Sequence, residues 1–284
     1  MERKISFAKM HGTGNDFIVV TLAELGGVDA AAFARQACDR HFGAGSDGLL
    51  VVAPSTAADT RMRMYNPDGS EAMCGNGIRC FGRFVYERGI VPRSPMRVET
   101  IAGVKVLELT VERGAVTALR VDMGAPIFER ARIPVAETAG PVPVLDQPIT
   151  ADDRDFRVAC VSMGNPHCVI FTDRIDREEV FRYGRIIERH PFFPKRVNVE
   201  FVKVHGRDHL ELNVFERGAG FTLSCGTGTC ASAVAAHERG FTDGAVRVTT
   251  PGGELRVEYR RGGNVYMSGP AAWVYTGTYL WNGD

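Results

Sequence analysis

The chain has 284 residues, with 34 Lys and Arg against 34 Asp and Glu and 44% hydrophobic residues. At about 150 residues per domain this length makes two domains, each large enough to bury its own core. Balanced charge with no block of like charges excludes an electrostatic nucleic-acid binder, and no apolar run approaches the roughly 18 residues that span a bilayer.

The charged start Met1-Glu2-Arg3-Lys4 reaches Gly12 and Gly14 without a signal-peptide apolar core, so a cytoplasmic protein is expected. Gly14-Asn15 is a turn that feeds a β-branched strand over Phe17–Val20. A strand ending at Met64-Tyr65 runs into Asn66-Pro67-Asp68-Gly69, whose Pro and Gly suit a tight reversal. Cys74-Gly75-Asn76-Gly77 then opens a helix over Ile78–Tyr86, with Ile78, Phe81 and Val85 at helical spacing and Gly89 and Pro92 beyond its end. Strands carrying Val98, Val104, Val106, Leu107, Leu109 and Val111 follow, with Arg113-Gly114 as a hairpin turn. Ala131–Pro148, with Pro134, Pro141, Pro143 and Pro148, is expected to be an irregular connection. Further on, a strand covers Val169–Phe171, and Cys225-Gly226-Thr227-Gly228 opens a helix over Thr229–Ala236 that stops at Gly240. That helix carries no charge over two turns and is predicted to be buried on every face. Gly262-Gly263 is a second hairpin turn. Strands dominate, so the fold class is α+β with mostly antiparallel sheet, wrapped in each half around one central helix.

The chain reads twice. Gly14-Asn15-Asp16-Phe17 is echoed by Gly164-Asn165-Pro166-His167 at an offset of 150, and Cys74-Gly75-Asn76-Gly77 by Cys225-Gly226-Thr227-Gly228 at 151. Arg97-Val98-Glu99-Thr100 matches Arg247-Val248-Thr249-Thr250, and Met123-Gly124-Ala125-Pro126 has a looser counterpart in Met267-Ser268-Gly269-Pro270. Matches in the same order at nearly one offset indicate an internal duplication.

Seven cysteines, at 38, 74, 80, 160, 168, 225 and 230, are an odd number and a poor disulfide framework. Their spacings miss the rhythm of structural zinc, so no metal is expected. Two of them, Cys74 and Cys225, stand just before a Gly-rich helix start. There backbone N–H groups face a ligand and the helix end favours an anion; the same position lowers a cysteine pKa. A buried cysteine in a tight turn is the plain alternative for either one alone. Two copies, one per half, present one activatable thiol on each side of a single bound anion. That arrangement suits moving a proton from one face of a carbon to the other, next to a carboxylate whose developing charge the helix ends stabilise. No lysine stands in a context for a pyridoxal Schiff base, so no cofactor is expected.

The segments Phe7–Phe17, Asn66–Glu71, Met73–Arg79, Ser162–His167, Arg196–Asn198, Glu216–Gly220 and Cys225–Gly228 resemble, in order, those of the diaminopimelate epimerase family of cofactor-independent two-cysteine racemases. The resemblance implies conversion of LL- to meso-diaminopimelate, for lysine and peptidoglycan precursors. It makes Cys74 and Cys225 the acid/base pair, and Asn15, Asn66, Asn165 and Asn198 substrate-binding asparagines. Glu216 and Arg217 would read the distal amino-acid end, and Gly75-Asn76 and Gly226-Thr227 the carboxylate. His167, with Glu216, would tune the thiols, and Tyr266 would lie at a homodimer interface. The implied fold is two pseudo-symmetric domains, 1–126 and 127–270, each a β-barrel around a central helix, with 271–284 returning to the first. Three departures stand out: Gly48 where some members have a substrate-binding glutamine, one residue fewer between Glu71 and Cys74, and Phe221 where glutamate is common.

The other readings are a proline- or hydroxyproline-type racemase, a non-catalytic amino-acid binding protein, and a thiol–disulfide redox protein. Glu216-Arg217 argues against the first, since an arginine before a Gly-rich thiol loop suits bidentate grip of a second carboxylate. The second needs neither thiol, and the third needs its cysteines in one motif.

Overall fold

The computed structural model describes residues 2–136 and 142–283. The chain divides into two compact units, Met1–Val121 with Gly269–Asp284, and Asp122–Ser268. The first begins with β1 (Arg3–Gly12), β2 (Asn15–Thr21), α1 (Leu22–Leu25), α2 (Ala30–Ala37), β3 (Gly48–Ala53) and β4 (Thr60–Tyr65). It continues with β5 (Glu71–Ala72), α3 (Gly75–Glu87), β6 (Met96–Thr100), β7 (Gly103–Glu112) and β8 (Ala115–Gly124). The second holds β9 (Gln147–Ala151), β10 (Arg154–Ser162), β11 (Pro166–Phe171), α4 (Arg177–Glu188), β12 (Asn198–Gly206) and β13 (His209–Glu216). After these come β14 (Gly220–Thr222), α5 (Gly226–Glu238), β15 (Ala245–Thr250), β16 (Gly253–Tyr259) and β17 (Val265–Gly269). The final strand, β18 (Ala272–Trp281), pairs antiparallel with β1 from Arg3 opposite Trp281 to His11 opposite Ala272.

Strands dominate and most pairs are antiparallel, as expected for an α+β chain. Each unit nevertheless contains two parallel pairs: β2–β3 and β4–β6 in the first, β11–β12 and β13–β15 in the second. A parallel pair cannot be closed by a hairpin and needs a crossover. Four crossovers carry the helices, so α1, α2 and α4 exist beside the two central helices that the sequence announces. Aspartate caps start the longer two: Asp29 accepts from the Ala32 N–H, and Asp176 from those of Glu178 and Glu179.

In the second unit α5 lies in a core of strand residues that includes Val161, Val169, Leu212, Val248, Val257 and Met267. Gly226 and every residue from Gly228 to Ala236 are buried, so no face of this helix meets water. On the other side of the sheet, Val180, Tyr183 and Ile187 of α4 pack with Phe156, Cys160, Val199 and Phe201. The first unit repeats the plan, with α3 against β1 to β4 and Phe33 of α2 in a separate layer with Ile5, Ile18, Leu49 and Trp281. Sheets covered on both faces put every residue of β3, and Asn198–Val202 of β12, out of solvent.

Arg113 and Gly114 both take positive φ, 52° and 84°, as a tight hairpin turn demands. The connection expected over Ala131–Pro148 is less irregular than its prolines indicate. Arg130–Arg132 forms a 3-10 turn, Ile133 and Val144 are buried, and Pro148 sits in β9 opposite Arg157. Pro141 lies outside the described residues.

Candidate active site

Cys74 and Cys225 are the N-cap residues of α3 and α5. Their backbones nearly superpose in angle, φ −133° and ψ 123° at Cys74 against φ −119° and ψ 114° at Cys225. Each Sγ accepts a hydrogen bond from the N–H three residues on, Gly77 or Gly228, at 3.4 Å. A thiol therefore fills the role usually taken by a Ser or Asp oxygen, and each first turn points its remaining N–H groups past the sulfur. Among the described residues no group of three or more His, Cys, Asp or Glu side chains is arranged to hold a metal ion.

Around Cys74 the first unit gathers Asn15, Asn76 and Arg79. The Cys74 thiol donates to Asn15 Oδ1 at 3.3 Å, while Asn15 Nδ2 donates to Asp47 Oδ2 at 2.7 Å. Asp47 belongs to a charged cluster in which Asp16 takes Lys9 at 2.5 Å and Arg40 at 2.7 Å. Burial alone would raise the Asp16 carboxyl, but hydrogen bonds from Arg40 and Lys9 overcome it and hold the pKa at about 2. Arg79 is fully buried; its guanidinium donates to Asn76 Oδ1, Gly75 O, Thr13 Oγ1 and Pro270 O. Asn76 thus accepts from Arg79, a residue buried behind the thiol turn. Asn66 stands in the β4–β5 turn with its amide on Ser70 Oγ at 3.0 Å. Gly48 has no room for more: a Cβ there would lie 2.8 Å from Tyr65 O.

Around Cys225 the second unit places Thr227, His167, Glu200 and Glu216. Thr227 Oγ1 is 3.4 Å from Sγ. Cys225 is 5% exposed, and burial first, then the negative charges of Glu216 and Glu200, push its thiol well above the ordinary value. This reverses the expectation that a helix start lowers it: loss of water outweighs the Gly228 N–H and the helix end. His167, at 0% exposure, has Nδ1 2.7 Å from Glu200 Oε1 and Nε2 3.0 Å from Asn165 Oδ1. Glu200 is itself fully buried, and burial raises its carboxyl pKa against the opposing pull of His167.

Asn198 ties two backbone segments together, donating to Pro166 O and accepting from the Arg217 N–H, each at 2.9 Å. With Glu188, which takes the Gly218 N–H at 3.0 Å, it pins the loop that carries Glu216 and Arg217. Arg217 is exposed and donates to Lys195 O, while Glu216 accepts from Thr222 Oγ1. Phe221 stacks on Phe181 of α4, with ring centroids 5.0 Å apart. Tyr266 is half-buried on β17, opposite Glu258 of β16. Glu188 and Glu200 went unnoticed in the sequence, the latter because a charged residue in an alternating strand ordinarily faces water.

Residues 7–129 and 159–274 match the family model for diaminopimelate epimerase. The diaminopimelate epimerase of Moorella thermoacetica is 49% identical over 96% of this chain and 98% of its own length. That of Methanococcus maripaludis is 44% identical over 96% and 99%. Among solved structures, a hydroxyproline epimerase from Agrobacterium vitis overlays with TM-score 0.71 at 18% identity, covering 99% of this chain and 94% of that one. A phenazine biosynthesis protein of the PhzF family from Bacillus anthracis gives 0.70 at 18%, covering 98% and 100%. At such identities the structures speak for the shared fold; the sequence relatives, aligned end to end, speak for descent, and the chain belongs to the diaminopimelate epimerase family.

Proposed function

We propose that this chain inverts one α-carbon of LL-diaminopimelate to give the meso form, working without cofactor as a cytoplasmic homodimer that supplies lysine and peptidoglycan precursors. The reading is carried by the twin caps: two cysteines, one per unit, in the same cap geometry at helix starts able to receive a carboxylate, in a chain of this family. A thiolate takes the α-proton from one face, becoming a thiol, while the other thiol gives its proton to the opposite face and becomes the thiolate. No proton is gained or lost overall, and the negative charge passing through the α-carbon is eased by the helix N-terminal N–H groups beside Gly75-Asn76 and Gly226-Thr227. Asn15, Asn66, Asn165 and Asn198 orient the amino acid, Glu216 and Arg217 read its distal end, and His167 with Glu216 tunes the thiols. Tyr266 lies at the subunit contact. The duplicated halves run over 1–126 with 271–284 and over 127–270, bounds a few residues from those of the two compact units.

The test is α-deuterium uptake in D2O by dialysed protein, offered diaminopimelate, proline and hydroxyproline. Uptake with stereoinversion of diaminopimelate alone is the expected result. Uptake into proline or hydroxyproline instead would move the chain to that racemase type, and uptake into none would leave an amino-acid binding protein.

A further inference from the structure

Gly77 and Gly228 occupy matching places in α3 and α5, and each lets its helix start rest directly on the strands below. A Cβ on Gly77 would meet Leu50 at 3.2 Å and Phe17 at 3.3 Å; one on Gly228 would meet Glu200 Oε1 at 2.7 Å. The sheet registers make these floors equivalent. In β2–β3, Phe17 lies opposite Gly48, two residues before Leu50; in β11–β12, His167 lies opposite Asn198, two residues before Glu200. An apolar Phe–Leu pair in one unit is therefore replaced by an ionisable His–Glu pair in the other, in a place equally closed to water.

Packing does not require that exchange, since Phe and Leu fill the same slot, and burying ionisable groups is costly unless they are paired. What the His–Glu pair adds is a hydrogen bond to Asn165. As oriented in the structure, Asn165 presents Oδ1 to the imidazole, so Nε2 must carry a proton and donate. The 2.7 Å contact between Nδ1 and Glu200 Oε1 then holds a single proton, and the pair is neutral whichever partner carries it. Its counterpart Asn15 is turned the other way: Asp47 holds its nitrogen, and its oxygen accepts from Cys74.

We propose that Glu200 is a positioning residue for the epimerisation: acting through His167, it fixes the Asn165 carboxamide so that its two N–H donors are what that asparagine offers the substrate. The two asparagines of the duplication then present opposite ends, Asn15 an acceptor and Asn165 a donor. The proposal rests on the functional reading above for its substrate, but the orientation itself is a property of the second unit alone.

The experiment uses three variants of the full chain. Glu200→Leu keeps volume and removes the partner of Nδ1; kcat/KM for diaminopimelate should fall roughly thirtyfold, the scale of a lost buried hydrogen bond to a charged or strongly polar group. Glu200→Gln, whose amide can donate to Nδ1 while Nε2–H stays on Asn165, should restore about an order of magnitude of that loss. The double variant His167→Phe with Glu200→Leu installs the pair that the first unit already packs, so it should fold, and adding Asn165→Ala to it should cost nothing further. Full additivity of Asn165→Ala, or a double variant within twofold of the parent, would overturn the proposal. Independently of activity, the His167 Nε2–H should give an exchange-protected proton NMR signal in the parent and in Glu200→Gln, and lose it in Glu200→Leu. Persistence of that signal in Glu200→Leu would sink the positioning role. A parent that shows the signal but leaves diaminopimelate untouched would instead sink the substrate assignment.

Discussion

Cys74 and Cys225 cap their helices at nearly the same backbone angles, yet what surrounds them differs in kind. Cys74 is half-buried, with its asparagine tethered outward to the Lys9–Asp16–Arg40–Asp47 cluster and a buried arginine one turn along its helix. Cys225 is closed off, with the carboxyl groups of Glu200 and Glu216 as neighbours, and Cys230 stands in its helix where Arg79 stands in α3. Duplication preserved the part that backbone geometry dictates, the glycine turn and thiol cap, and left the charge environment free to diverge. For a proton to cross a carbon between two sulfurs, one must start ionised and the other protonated. In the proposed reaction each turnover swaps those two states, so both must be reachable, and the unequal neighbours decide which of them is favoured at rest.

The largest effect should come from removing either sulfur. Cys74→Ala and Cys225→Ala are each expected to lose net epimerisation by about 10³-fold, within the range for a general acid or base. Each should still exchange the α-proton of one isomer slowly in D2O, and the two variants should prefer opposite isomers. Proton NMR of each isomer reads this directly. Retained inversion in either variant would break the comparison at its root, and a shared isomer preference would put both sulfurs on one face. Serine should rescue neither, because its hydroxyl is far less acidic than a thiol near pKa 8.5.

Next comes the tether. Asp16→Asn leaves the Lys9 ammonium, which is 7% exposed and donates to Gly45 O, without its paired carboxylate, and should cost roughly 3 kcal/mol in a denaturant titration. The pH dependence has a definite sign. The folded pKa of about 2 lies below the ordinary 3.8, so the stabilisation is full above the latter and fades as pH falls through the former. Parent and variant should therefore converge toward pH 2. The second unit has Pro166 in the matching position and no such tether, so a variant that unfolds at the parent's midpoint would make the outward cluster decorative.

Arg217→Lys should lower kcat/KM about ten- to a hundredfold, because an ammonium cannot reproduce a two-pronged guanidinium–carboxylate pair. Arg217 is exposed in this structure, and its N–H, held by Asn198, sets where the side chain starts. Kinetics unchanged by lysine would return it to the solvated surface.

The sequence showed the caps, both central helices and the duplication, because glycine turns and an uncharged helix are local signals. It hid α2 and α4, since mostly antiparallel sheet leads one to expect hairpins, and only the parallel pairs require crossovers. Asp29 and Asp176, each just before its helix, are the local signals for these two helices. Glu200 was hidden for a deeper reason: in Asn198-Val199-Glu200-Phe201-Val202 alternation assigns it to a wet face, and this stretch of the strand has none. His167 and Asn165 were singled out, but their partner depended on a sheet packed by helices on both sides.

The smallest expected effect is the most direct reading of the two environments. Iodoacetamide attacks thiolate, so its rate reports both access and ionisation. Cys38, Cys80, Cys160, Cys168 and Cys230 are at most 2% exposed, and burial pushes Cys80 up to about 12, so half-buried Cys74 and Cys225, at 5%, are the two sites to follow by peptide mass spectrometry. At pH 8 Cys74 should be labelled first and Cys225 more slowly, because burial and then the charges of Glu216 and Glu200 raise the Cys225 thiol. Because the Cys225 thiol titrates well above its ordinary value, its labelling should keep climbing as pH rises past 9. Replacing Glu216 by Gln removes one of the two charges that raise it and should speed Cys225 while leaving the order intact. Equal rates at the two sites, with equal pH dependence, would mean that the duplicated caps remained electrically alike and that the contrast drawn from their neighbours has no consequence for the sulfurs.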